Sequence, residues 1–212
     1  DLSSWCVPNI LTAPTNFSSG SALTSNQIPN WGTCSNAYVN NRGCVVCDSL
    51  NVGEQFVLND DTMVVANRAM LDSIISGTNY QLDYVCVSQV TNLDSLFEGQ
   101  TIRGGMDAWD VSNVTSMVGT FAGQSSFNQD IGNWDVSAVT DMSHLFTGNT
   151  SFNKNIGEWD VSNVTDMSRM FYQASNYNSP MNNWDVGNVV NMESMFFNAR
   201  KFNQDIGNWN VV

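Results

Sequence analysis

Basic side chains are scarce in this chain: 7 Lys and Arg stand against 20 Asp and Glu, for a net charge of -13 at pH 7. A phosphate-binding surface needs a basic patch, and anionic lipid attracts polybasic segments, so nucleic acid and membrane surfaces are not expected partners. Histidine occurs once, at His144, and a nucleophilic triad needs a histidine beside its serine or cysteine. No run approaches the ~20 apolar residues that cross a bilayer, so no membrane insertion is expected in this segment. The start carries no basic, apolar leader and reads as a mature or excised piece. The 15 glycines are scattered, with no loop of the kind that cradles phosphate.

What is present is an ordinary apolar fraction, 42 %, with a polar complement drawn largely from Asn, Ser, Thr and Asp. Five cysteines, Cys6, Cys34, Cys44, Cys47 and Cys86, fit an oxidising, extracellular setting. The odd count leaves one thiol free or bonded to another chain.

An internal repeat dominates. Trp109, Trp134, Trp159, Trp184 and Trp209 lie 25 residues apart, within WDVSNVTSM, WDVSAVTDM, WDVSNVTDM, WDVGNVVNM and WNVV. Later in each unit come FNQDIGN, FNKNIGE, YNSPMNN and FNQDIGN. With each Trp as position zero, apolar residues return at +2, +5, +8, +12, +18 and +22; in the first unit these are Val111, Val114, Met117, Phe121, Phe127 and Ile131. One unit cannot bury that set alone, so neighbouring units must share a core. The alternation of FNQDI suits a short strand. The spacing in Thr165–Phe171 suits one or two helical turns, with Thr140 or Thr165 as cap and Asp141 or Asp166 at the positive end. The expected fold is therefore an α/β repeat solenoid of leucine-rich-repeat-like coils, each a short parallel strand plus a short helical turn, with capping segments.

The units WDVSNVTDMSRMF and FNQDIGNWDVSNV resemble those of the BspA-like leucine-rich-repeat proteins, a family of bacterial cell-surface and secreted proteins; the likeness covers about 85–212. It implies a solenoid and a surface or adhesive role, and supplies neither a catalytic residue nor a ligand.

The organisation follows. Residues 85–212 are the repeats, beginning with a weaker unit whose zero position is Val85. Residues 61–84 form an N-terminal cap with a helix at 67–76, and 35–60 are a junction with the CxxC of Cys44 and Cys47. Asp1–Val7 align with Asp205–Val211. The resemblance therefore marks 1–34 as the C-terminal type of cap, belonging to a preceding or neighbouring-subunit array and closed by Cys6–Cys34. The open face after Val212 is met by further arrays of a longer chain or by other copies, head to tail. The CxxC lacks a second ligand pair for zinc, so the expected role is a disulfide from Cys44 or Cys47 to Cys86.

Asp110, Asp135, Asp160 and Asp185 should form a carboxylate ladder, which like-charge repulsion disfavours. Amides of the adjacent turn are one remedy. Calcium between coils, helped by Asp130 with Asp205 or Asp141 with Asp166, is the other; no cofactor besides calcium is suggested. His144 sits at an offset occupied elsewhere by Gly119, Arg169 and Ser194, which argues against catalysis. The tryptophans read as packing rather than as an exposed sugar-binding row. Sequons begin at Asn16, Asn113, Asn149 and Asn163, and Ser49, Thr62, Ser73 and Ser95 lie in Asp-Ser/Thr-apolar triplets like the O-glycosylation motif of Bacteroidetes surface proteins. The expected function is a non-catalytic, extracellular structural or adhesive repeat protein. The alternative is a module binding glycans or a cell-surface receptor.

Overall fold

The computed structural model describes Cys6–Val7, Ser19, Ser21, Asn30–Trp31, 37–77 and 80–211. The chain divides into two compact units, Asp1–Asn36 and Ala37–Val212. In the first, β1 (Cys6–Val7) pairs in parallel with β2 (Asn30–Trp31). The Cys6–Cys34 bridge and the Asn16 sequon lie outside the described residues.

The second unit opens with β3 (Tyr38–Val39) antiparallel to β4 (Val45–Val46). A hairpin follows, β5 (Gln55–Leu58) against β6 (Asp61–Val65), with Leu58 opposite Asp61. Its two turn residues, Asn59 and Asp60, have φ of 52° and 70°, as the mirror-image turn that suits strand twist demands; Asn and Asp tolerate that conformation better than most residues. Helix α1 (Arg68–Ser76) is capped by Asn67, whose side-chain oxygen accepts from the Met70 amide at 2.9 Å, and it buries Leu71 and Ile75. A short 3-10 turn (Leu82–Tyr84) leads into β7 (Val85–Cys86), which joins β6 in parallel.

The expected α/β repeat solenoid is not what forms. Among the described residues there are one α-helix and a few two- to five-residue strands in three small sheets, and 87–211 hold neither helix nor strand. The physical reason lies in the backbone. At the place read as helical, Ser95, Gly119, His144, Arg169 and Ser194 all have positive φ, between 51° and 60°. A right-handed helix cannot pass through such a residue. Alternate amides then go in two directions. Those of Leu145, Thr147 and Asn149 close turns onto Met142, His144 and Phe146, while those of Met142, His144, Phe146 and Gly148 donate to Asp166, Ser168, Met170 and Tyr172 of the next unit at 2.7–2.9 Å.

The FNQDI strand fails for a second reason. There the amides of Asn153, Asn178 and Asn203 are taken by the side-chain oxygens of Asn128, Asn153 and Asn178, at 2.8–3.0 Å. A side-chain ladder satisfies the amides that a strand would have paired with backbone carbonyls. Among the described residues the strand-like pairing between repeats is one residue wide, running Asn92, Ser116, Asp141, Asp166, Asn191 in parallel.

The stacked turns close around one apolar core. Phe97, Phe121, Phe146, Phe171 and Phe196 form a column with centroids 5.5–5.6 Å apart. Phe127, Phe152, Tyr177 and Phe202 form a second at 5.8–6.2 Å. In the four units that carry both, the two columns touch at 4.0–4.1 Å. Each of the five indole N–H groups of the repeats donates to a carbonyl 27 or 28 residues earlier: Leu82, Met106, Ile131, Ile156 and Met181, at 2.9–3.2 Å. Trp109, Trp134, Trp159 and Trp184 are buried, so they are packing residues and not a sugar-binding row.

The first repeat has no preceding repeat to supply amides, and Arg68 of α1 does so instead. Its guanidinium donates to the carbonyls of Asn92 (3.3 Å) and Asp94 (2.8 Å), the positions that in later units accept backbone N–H. Asp72 holds the guanidinium in place at 2.8 Å.

Candidate functional site

The repeating polar side chains are arranged as ladders, and most are consumed in bonding within and between units. Asp110, Asp135, Asp160 and Asp185 each begin a turn in which one carboxylate oxygen accepts the amide of Ser112, Ser137, Ser162 or Gly187, at 3.1 Å. Ser137 and Ser162 add their hydroxyls at 2.7 and 2.6 Å. The Ser162 hydroxyl and then its amide hold the Asp160 carboxyl below its usual range. Arg42 lies 3.6 Å from Asp135. Each carboxylate of the ladder is thus tied to its own turn. Asp130 and Asp205 likewise accept from Gly132 and Gly207 at 3.1 and 2.9 Å. Among the described residues no three His, Cys, Asp or Glu side chains converge where a metal ion would sit.

A second ladder runs along the bridge. Burial raises the Asp166 carboxyl, but the Ser168 hydroxyl and amide, the Asn191 side chain and the charge of His144 outweigh it and hold the group below its usual range. Thr115, Thr140 and Thr165 turn their hydroxyls back onto Thr91, Thr115 and Thr140 at 3.1–3.2 Å. Asn113, Asn163 and Asn188 donate their side-chain amides to Ser88, Ser137 and Ser162 at 2.7–2.8 Å. His144 is half-buried in the left-handed conformation, 3.4 Å from the Thr147 hydroxyl.

The cysteine cluster resolves into one bridge and one thiol. Cys47 and Cys86 form a disulfide spanning 39 residues of sequence, and both are buried. Cys44 is free and buried; burial first, then the charge of Asp110, pushes its pKa up to about 11. Sequence spacing left Cys44 and Cys47 equivalent. The distinction comes from β4: Val45 is bridged to Trp109, and its amide donates to Ala108 at 2.8 Å, which places Cys44 beside Asp107 and Asn133 instead of Cys86.

The candidate modification sites fall into distinct settings. Ser49, Thr62, Ser73 and Ser95 are all exposed, and the apolar residue after each is buried or half-buried. Asn113 and Asn163 are exposed, yet their amide nitrogens are already bonded to the preceding unit. Asn149 is fully buried; its oxygen accepts from Ser151 and Phe152, and its nitrogen has no partner.

Sequence reasoning missed the left-handed positions, the Arg68 cap and the asparagine ladder. Gly99, Gly123 and Gly148 stand 14 residues after the first three zero positions with φ of 67–74°, and were the available signal for the first.

No helix among the described residues is long and apolar enough to cross a membrane. No curated protein and no solved structure matches the chain. One family description does, over residues 68–162 and again over 131–212. These two overlapping stretches take in α1 and the repeats it caps, and on that ground the chain belongs to the family described as "Mycoplasma protein of unknown function, DUF285".

Proposed function

We propose that this chain is a non-catalytic, extracellular module of a structural or adhesive surface protein. The observation that carries the reading is the use made of its polar side chains. The Asp, Asn and Thr residues repeated in every unit are spent on turns and on bonds to the next unit, which suits a protein whose task is to hold a surface in place. The buried Cys47–Cys86 disulfide suits an oxidising compartment, and the likeness of the units to BspA-like surface proteins points the same way. Its partners are adjoining arrays or other copies of itself, head to tail. Proteolytic shaving of intact cells that make the full protein should release peptides from 37–212; recovery only from the cell interior refutes the reading. Electron microscopy of the native material then separates filaments from isolated modules.

A second reading, a module that binds glycans or a cell-surface receptor, is favoured by one place where the ladders stop being self-satisfied. Tyr172 and Phe197 stack at 5.0 Å on the surface, with Phe197 52 % exposed.

A further inference from the structure

Most repeating polar groups have their partners inside the stack, so a group of polar side chains without them stands out. One such group lines a surface cleft of about 290 Å³ formed by Thr150, Gln173, Ser175, Asn198 and Arg200. The Thr150 hydroxyl is bonded to Ser125. The side chains of Gln173, Ser175, Asn198 and Arg200 take no partner among the described residues, and they leave amide, hydroxyl and guanidinium groups facing solvent together.

The backbone beneath the cleft adds a second observation. Gln173 and Asn198 occupy the left-handed conformation, φ 58° and 57°, at the offset where the three earlier units carry Gly99, Gly123 and Gly148. Glycine adopts this conformation freely, asparagine less so, and glutamine only at a cost. The last two units therefore keep polar side chains, Gln173 and Asn198, where the three earlier units have none. At the adjoining offset the earlier units have Glu98, Ala122 and Thr147, whereas these two units have Tyr172 and Phe197, whose rings form the stacked surface pair. Changes at neighbouring offsets thus coincide in the same two units.

We propose that the cleft at Gln173, Ser175, Asn198 and Arg200, beside the Tyr172–Phe197 pair, binds a saccharide. The inference rests on the glycan-binding reading and gives it a place. A sugar presents hydroxyls that both donate and accept, and a face of C–H groups. Amides and hydroxyls answer the first, aromatic rings the second. A polyanion would ask for more than one guanidinium on a chain of net charge -13. A peptide would ask for an open strand edge or an apolar pocket, and neither lines this cleft.

The test uses the full chain on immobilised neutral-hexose, N-acetylhexosamine and uronate oligosaccharides, with the same sugars free in solution as competitors. Retention on at least one class is expected. The double variant Gln173→Gly, Asn198→Gly should lose at least tenfold in affinity while its Tm stays level or rises, because glycine relieves the backbone. Arg200→Ala should weaken retention at unchanged Tm. A purely structural role would lower Tm and leave retention alone. Retention that is indifferent to all three substitutions overturns the cleft and leaves glycan binding standing elsewhere. No retention by the folded chain on any of the three sugar classes overturns both, while the structural reading keeps its own test on cells.

Discussion

Tyr177 stands in a column otherwise made of Phe127, Phe152 and Phe202, and its hydroxyl is buried with no partner. Its ring contacts, 4.1 Å to Phe171, 5.9 Å to Phe152 and 6.2 Å to Phe202, do not involve the oxygen. Tyr177→Phe therefore keeps the stacking and removes a desolvated hydroxyl, whose burial costs about 1–3 kcal/mol by protein mutational data. The variant should be more stable than the parent by about 1–2 kcal/mol at pH 7, which for a unit of this size raises Tm by roughly 2–4 °C per kcal/mol. The alkaline limb supplies an independent reading. Burial raises the Tyr177 pKa far above that of an unfolded tyrosine. Above pH ~10 the unfolded chain loses this proton and the folded chain keeps it, so stability falls with rising pH. Phenylalanine has no such proton. The gap between variant and parent should thus widen above pH ~10, by up to about 1.4 kcal/mol per pH unit. Urea titrations of both proteins at pH 7 and at intervals up to 11 measure it. A variant less stable at pH 7, or a gap that stays constant with pH, refutes the account of the hydroxyl.

Four further outcomes follow. Arg68→Ala strips the carbonyls of Asn92 and Asp94 of their charged donor and should cost about 2–3 kcal/mol, read as a lower urea midpoint. Gly157→Ala would set a Cβ 2.7 Å from the Pro180 carbonyl oxygen and should destabilise by about 1–3 kcal/mol, whereas alanine at Gly43, which meets nothing within 4 Å, is resisted only by its φ of 84°. Cys47→Ser opens a bridge across 39 residues, worth ~4 kcal/mol in the chain-entropy model, and thermal unfolding without reductant measures the loss. Cys44, with its pKa at about 11, should resist iodoacetamide at pH 8 in the native protein and react once urea is added; mass spectrometry of its peptide reports both.

The repeat period, the inward-facing positions and a helix at 67–76, which forms over 68–76 with Asn67 as its cap, were legible from spacing alone, because burial imposes apolar residues at fixed intervals whatever the backbone does between them. The backbone itself was misread. Met167, Met170 and Phe171 have the spacing of a helical face, yet Arg169 between them is left-handed at φ 54°. Arginine carries no sign of that conformation, and only Gly119 in the equivalent place hints at it. FNQDI alternates like a strand, but its asparagine takes the bonds that would have made one. The cleft was illegible for a related reason: Gln173 and Asn198 read as ordinary surface amides until the three glycines at the same offset are known to have positive φ.

The direction of the bonds between repeats has a consequence for how such a stack can vary. Toward the following unit each repeat offers amides, as at His144 and Phe146, and toward the preceding one it offers an indole N–H and an asparagine amide. The two sides are complementary to each other, the donors of one meeting the carbonyls of the other. A duplicated 25-residue block inserted in phase would find every donor matched, so array length is free to drift by whole blocks. A block cut short would bring amides opposite the wrong partners, and the same lattice that welcomes copies would reject it.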